Sequence, residues 1–324
     1  MKDKVWELFI DIWKKYRKNI LLQIDKDWEK SKKRKRVVKE INFRSMSIPT
    51  KKRIKLRLNP IDDGFCKEFN WLGFREPLNS FFLYKEIRKG KYSVLDIGSN
   101  VGYFPIIETI AGASSVTCLE PVPLTFKYLL RNIRNFKNCR AINAALGTRN
   151  GKIKLYVAEK FNLTSFDPSS IIFHGSKVIK TITVPCYTLS SITKNFSENL
   201  ILRMDIEGYE YNVLIRGVPD CIRMICLEFH SLSLGTKKSK DLLKFLDDMG
   251  FYCKLFFNDM SFTLFPLCNF LGALKIYKIV RTLRIIESKE TPLLPFIEKN
   301  IDLKSLSDDE RIKKINSLHL FLQR

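Results

Sequence analysis

The chain is 324 residues long, 45% hydrophobic and 28% charged, with a formal net charge of +23. These proportions exclude a disordered chain and fit one large domain with extensions. No window reaches the roughly 18 uninterrupted apolar residues of a membrane span, and Asp3, Glu7 and Asp11 break up the N-terminal apolar residues, unlike a signal peptide.

A cytoplasmic location is therefore expected, with a peripheral membrane association as an option raised by the basic N-terminus. The eight cysteines form no CxxC pair, and runs such as "VTCLEP" and "MICLEF" place free thiols where they pack as small hydrophobes. The three histidines, His174, His230 and His319, give little support to a zinc site of His and Cys clusters.

In chain order, Trp6, Phe9, Ile10, Trp13, Ile20, Leu21, Ile24 and Trp28 recur at spacings of three, four and seven, one face of a long helix over residues 3–29. The basic run "KSKKRKR" follows. Residues 1–57 hold 20 Lys and Arg against 7 Asp and Glu, so +13 of the +23 lies in this stretch. Such an extension suits docking on an anionic membrane or on RNA. The alternative is a helix packed on the main domain and followed by a solvated linker. A main domain is expected over 58–265, with a C-terminal helical extension over 266–324.

From Tyr92, short β-branched runs alternate with helical stretches, as in a parallel sheet with crossover helices. "YSVLDI", "SVTCLE" and "CRAINAAL" read as three strands, the second followed by a helix that Pro123 opens. "KIKLYVA" and "KTITVPCY" form an extended excursion around the polar stretch "NLTSFDPSS". "LILRMD" and "IRMICLEF" resume the alternation, and "FYCKLFF" with "SFTLF" makes an antiparallel pair, for seven strands in all. Leu271–Ile286 reads as a basic amphipathic helix, and "SDDE" at 307–310 as a capping box ahead of a last helix to Gln323.

The turn "DIGSNVGYF" carries the first chemistry. It lacks the G-x-G-x-x-G of a dinucleotide fold, because Asn100 and Tyr103 stand at the second and third glycine positions. No Gly-Lys-Ser/Thr follows, which excludes a phosphate loop. Gly98 and Gly102 would let the backbone approach a ligand, and Asn100 tolerates positive φ. Glu120, at the end of the second strand, is placed to accept both hydroxyls of an adenosine ribose. Asn143 and Ala144, at the end of the third, could frame an adenine edge. Each feature alone is weak, since a strand-end Glu is more often a solvated residue or helix cap; their order on successive strands is the signal.

The fourth and fifth strands end in "MDIEGYE" and "LEFH". Asp205 stands where strand becomes helix, with Glu207 and Glu210 complementing the helix dipole. Glu228 and His230, two apart on an extended run, share one face. Asp205 or His230 is a candidate to take a proton. A divalent metal on Asp205 and Glu228 would lack any further ligand that can be named from the sequence, so no metal site is assigned. Cys186 follows Pro185, as in cytosine-C5 methyltransferases, but lies in the extended excursion and reads as packing. The absence of an Asn-Pro-Pro-Tyr motif after the fourth strand weighs against methylation of base amines.

Together "VLDIGSNVGYF", "LEPVPLTFKYLLRNI", "INAALG", "LRMDIEGYEYNVL" and "ICLEFH" resemble the FkbM family of S-adenosylmethionine-dependent methyltransferases over roughly residues 73–265. The resemblance implies a Rossmann-like class I methyltransferase fold with a seven-stranded, mostly parallel sheet and helices on both faces. It also implies methyl transfer from S-adenosylmethionine to a hydroxyl, on a sugar or polyketide in the better-known members; the acceptor expected here is a sugar, lipid-linked glycan or small metabolite. By position, Asp96, Gly98, Asn100, Gly102, Tyr103 and Phe104 would line the methionine and ribose end, Glu120 with Pro121 the ribose, and Asn143 with Ala144 the adenine. Asp205 and Glu207 would lie near the sulfonium, with Glu228 and His230 beside them. The competing readings are an RNA methyltransferase using the basic N-terminal region and a non-catalytic binding protein on the same scaffold.

Overall fold

The computed structural model describes residues 2–34, 36–173, 175–196, 199–259, 268, 271–282, 296–315 and 317–324, with side chains from Lys15 onward except at positions 17, 173 and 279–282. Strands β1 (Val37–Glu40), β2 (Lys55–Leu58), β3 (Ser93–Ile97), β4 (Ser115–Leu119), β5 (Cys139–Ile142), β6 (Ala145–Leu146), β7 (Gly151–Ala158), β8 (Val178–Tyr187), β9 (Leu200–Met204), β10 (Ile222–Phe229), β11 (Tyr252–Phe257), β12 (Ile297–Ile301) and β13 (Leu318–Gln323) form three sheets. The main sheet has eight strands in the order β12-β11-β13-β10-β9-β3-β4-β5. β5, β4, β3, β9 and β10 run parallel, and β13 lies antiparallel between β10 and β11.

The parallel strands are continuous apolar runs because both faces are covered: all five residues of β9 are buried, as are four of five in β3 and β4. Helices α2 (Phe65–Leu72), α3 (Pro77–Ile87), α4 (Tyr103–Ala111) and α5 (Pro123–Ile133) share one core with Val94, Val116, Ile201 and Met224. On the other face Leu95, Ile97, Leu202 and Leu227 pack with Leu242, Leu243 and Leu246 of helix Thr236–Asp248. Strand order reverses between β3 and β9, and there the carboxyl ends of β3, β4, β9 and β10 open the crevice in which sheets of this kind bind ligands.

Three expectations are corrected. The last segment is not a helix to Gln323 but β13, a strand of the main sheet. "LHLFLQ" is nearly all buried and pairs in full register with β10 (Met224 with Gln323, Phe229 with Leu318), and on its other side with β11 across one bulge. A six-residue segment with four apolar residues cannot be told from a buried helix by periodicity, and its partners lie far away in sequence. The capping signal serves only a short turn, in which the Asp309 carboxylate accepts from the Arg311 amide at 2.8 Å. Residues 266–324 are therefore not a helical extension, since β12 and β13 bring the main sheet to eight strands. The expected partner "SFTLF" lies outside the described residues, as does the end of the helix expected over 271–286, described as Ala273–Thr282.

Nor does the domain begin at residue 58. Ile41, Phe43, Met46 and Ile48 are buried in the same core as α4, and the Tyr103 hydroxyl donates to Met46 Sδ at 2.6 Å. The N-terminal helix α1 (Lys2–Lys32) buries Ile20, Ile24 and Trp28, while Leu21 is exposed. The Trp28 indole donates to Asp63 at 2.6 Å, so this end of the helix packs on the domain. The side chains of Trp6, Phe9, Ile10 and Trp13 lie outside the described residues. "CRAINAAL" is two strands, β5 in the main sheet and β6 beside β8 in a three-stranded excursion.

Truncation before Leu318 tests the placement of β13. Losing five buried side chains and two ladders should cost on the order of 5–10 kcal/mol, comparable to the whole stability of a domain, and abolish cooperative thermal unfolding. A near-normal melt of the truncated chain would contradict the central strand.

Candidate active site

The crevice holds a cavity of about 230 Å³ bounded by the ends of β3, β4, β9 and β10, by Arg75 and Glu76, and by residues 161–166 of the excursion. Gly98, Asn100, Tyr103, Phe104, Glu120, Pro121, Ala144, Asp205, Glu207, Glu228 and His230 all border it, so the structure brings most of the expected residues together.

The turn after β3 is built by two left-handed residues, Gly98 (φ 79°) and Asn100 (φ 49°). A Cβ at Gly98 would collide with the Asp205 carbonyl oxygen, so glycine here lets the β3 turn lie against the β9 turn. Gly102 has another purpose than expected: its missing side chain makes room for Leu129 and Ile133 of α5, away from the cavity. Glu120 anchors the donor end. Its Oε2 accepts from the Asn100 amide at 3.0 Å and its Oε1 from the Val122 amide at 2.8 Å. Burial pushes its pKa up to about 8 despite those two amides. Asn143 does not border the cavity; its side-chain amide donates to the Glu120 carbonyl at 2.8 Å and the Pro121 carbonyl at 3.1 Å, shaping the loop.

Asp96 is also corrected. It is fully buried beneath the turn, where Oδ1 accepts from Arg203 Nη1 at 2.8 Å. Arg203, itself buried, stacks 3.8 Å from the centroid of the Phe104 ring and reaches Asp205 Oδ2 at 3.4 Å. An arginine inside the apolar run "LILRM" was the signal for this link.

The acceptor end is crowded with carboxylates. Asp205 Oδ1 is buried on the cavity wall and has no hydrogen-bond partner among the described residues. Burial, with Glu228 beside it, pushes the Asp205 pKa well above the usual carboxylate range. Glu207 adopts φ 53° and is pushed up to about 8, chiefly by burial; Glu228 rises to about 7 for the same reason. His230 Nδ1 lies 2.8 Å from Glu210 Oε1, and its Nε2 lies 3.3 Å from Glu207 Oε2. Burial alone would lower the imidazole pKa, but Glu210 and Glu207 outweigh it and hold His230 charged. An imidazolium with both nitrogens engaged does not accept a proton, so the candidacy of His230 as base is not supported. Sequence reasoning did not single out Arg75, Glu76, Arg203, Ser317 or the 161–166 strap, because each reaches the cavity only through tertiary packing.

The cavity fits S-adenosylmethionine. Backbone close to the wall at Gly98 and Ser99 precedes the Glu120 carboxylate, which would accept a ribose diol, and Pro121 and Ala144 offer an apolar edge beyond it.

Glu120→Gln checks the donor end. A carboxylate at about 8 in the fold and 4.5 in its ordinary state penalises folding progressively as pH rises from 4.5 to 8. Ligand-free, the variant should match the parent near pH 4 and melt several degrees higher at pH 9. At pH 9, where the carboxylate is ionised, its affinity for S-adenosylhomocysteine should fall about tenfold or more by calorimetry if Glu120 accepts the ribose hydroxyls.

No curated protein sequence matches the chain. Among solved structures, precorrin-6y C5,15-methyltransferase from Geobacter metallireducens is 8% identical with a TM-score of 0.34, covering 76% of this chain and 88% of that one. TYW2 from M. jannaschii, in complex with AdoMet, is 9% identical with a TM-score of 0.34, covering 84% and 83%. A SAM-dependent methyltransferase from Agrobacterium tumefaciens is 10% identical with a TM-score of 0.33, covering 60% and 54%. Residues 96–253, from the β3 carboxylate to the second residue of β11, match the methyltransferase FkbM domain. The chain therefore carries an FkbM-family domain and is a methyltransferase that uses S-adenosylmethionine.

Proposed function

We propose that this methyltransferase acts on a hydroxyl group of a sugar, lipid-linked glycan or small metabolite, with Asp205 taking the hydroxyl proton. The observation that carries this reading is the unpartnered Asp205 Oδ1 on the cavity wall, beside the donor turn. In its ionised form that carboxylate can accept the proton of an alcohol as the carbon–oxygen bond forms, and the raised pKa that burial gives it makes it the stronger base. When bound, S-adenosylmethionine supplies a sulfonium methyl group open to displacement.

The protein's own residues position the partners. Gly98, Ser99, Asn100, Glu120, Pro121 and Ala144 would hold the donor. Arg203 fixes Asp205 through Oδ2, which leaves Oδ1 for the acceptor. Glu207 and Glu210 clamp the charged His230, and this ring with Glu228 forms the wall facing Asp205. Phe166, packed on Tyr209 at 4.6 Å between centroids, also lines the cavity. The polar, half-enclosed space around these groups supports a hydroxylated acceptor better than an extruded base, since the aromatic pair packs on itself rather than presenting an open stacking face.

Asp205→Asn should lower kcat by about 10²-fold or more while leaving S-adenosylhomocysteine binding within a few-fold. His230→Gln, which keeps a hydrogen bond to one clamp, should lose less. Methyl transfer from labelled donor into fractionated glycan, lipid, small-molecule and RNA pools reads both the rates and the acceptor class. Near-normal turnover of Asp205→Asn, or label confined to RNA, would sink the reading.

A further inference from the structure

We infer that Glu76, Glu228 and His319 form a site for one divalent metal ion at the acceptor end of the cavity. Each residue brings one donor atom, and the three atoms lie within 4.8 Å of one another, a small side-chain rotation from a common ion at roughly 2.1 Å. They come from three distant parts of the chain: the N-terminus of α3, the end of β10, and β13, where His319 pairs directly with Glu228.

His319 is the observation that points to a ligand. Only 3% of it is exposed, its ring stacks on Phe257 at 5.0 Å, and it makes no hydrogen bond among the described residues. A buried imidazole without a partner, beside two carboxylates, has a lone pair to give. Both carboxylates are already oriented from behind, as metal ligands are. The Ser317 hydroxyl donates to Glu228 Oε1 at 2.6 Å, and the Asn79 side-chain amide donates to Glu76 Oε2 at 2.8 Å. The backbone beneath Glu76 is pinned in turn, because the Leu78 and Asn79 amides donate to the Asp259 carboxylate at 3.2 and 2.8 Å.

The neighbouring cations are committed elsewhere. Arg203 is paired with Asp96, and Arg75 with Glu68. A second grouping, Asp205 with Glu228 and His230, also falls within 4.8 Å, but both nitrogens of His230 already face carboxylates. One imidazole and two carboxylates leave coordination positions open toward the cavity, which Glu76 and Glu228 both border. This donor set suits Mn²⁺ over the softer metals that thiolates select. An ion there would bind an acceptor oxygen and lower the pKa of its hydroxyl, a role that rests on the proposed hydroxyl acceptor, whereas the site itself does not.

Mn²⁺ titrated into the metal-stripped full chain, without donor or acceptor, and followed by electron paramagnetic resonance, tests the site. One ion per chain should bind, and His319→Gln and Glu228→Gln should each weaken it tenfold or more; Asp205→Asn and His230→Gln should change it less than threefold. Far-UV circular dichroism checks folding, and Glu76→Gln, at the cavity rim, replaces any variant that fails it. No binding below 1 mM, binding indifferent to His319→Gln and Glu76→Gln, or binding lost with Asp205→Asn alone would each overturn the site. Failure of hydroxyl methylation with Mn²⁺ binding intact would overturn only the proposed acceptor.

Discussion

The pairing of Asp96 with Arg203, one residue directly across from the other on adjacent parallel strands, joins the two halves of the site. Two charges in the middle of a sheet are tolerated because each answers the other, and removing one would strand its partner at a cost of about 3–5 kcal/mol. Through its second arm Arg203 also holds Asp205, so one side chain fixes the turn after β3 and the acid after β9. The Phe104 ring beneath the guanidinium excludes water from the pair. Gly98 completes the junction, since a side chain there would push the two turns apart.

Around that junction the cavity separates two chemistries. The donor end relies on backbone: two left-handed residues, a short turn, and amides of Asn100 and Val122 that hold the Glu120 carboxylate. The acceptor end relies on charge, with Glu76, Asp205, Glu207, Glu210 and Glu228 gathered around His230 and His319. Buried carboxylates in such numbers oppose folding unless protons or cations answer them. His230 answers Glu207 and Glu210, and Arg203 answers Asp96. The remaining carboxyls border the space that a cationic sulfonium and, on our inference, a metal ion would share, and a cation there would favour their ionised form.

Much of this was legible before any coordinates. The strand and helix alternation from Tyr92, the ends of β3, β4, β9 and β10, and the order of Asp96, Glu120, Asp205 and Glu228 along them follow from local apolar periodicity and turn chemistry. What periodicity could not show is pairing between distant segments. β13 reads as a helix in isolation because its four apolar residues meet their partners only across the sheet. The role of Asp96 differs from its expected one for a related reason: a carboxylate near a strand end can point to either face of the sheet, and here it is buried against Arg203.

The sequence by itself determined the class of fold, the methyl donor and the residues that end the parallel strands, because each of these depends on residues near one another along the chain. Tertiary structure decided the rest. It placed Arg203 between two acids, charged His230 by enclosing it between Glu207 and Glu210, and carried Glu76 and His319 to Glu228. Those outcomes depend on charge, burial and the approach of segments from about 20 to more than 100 residues apart, and no local pattern encodes them.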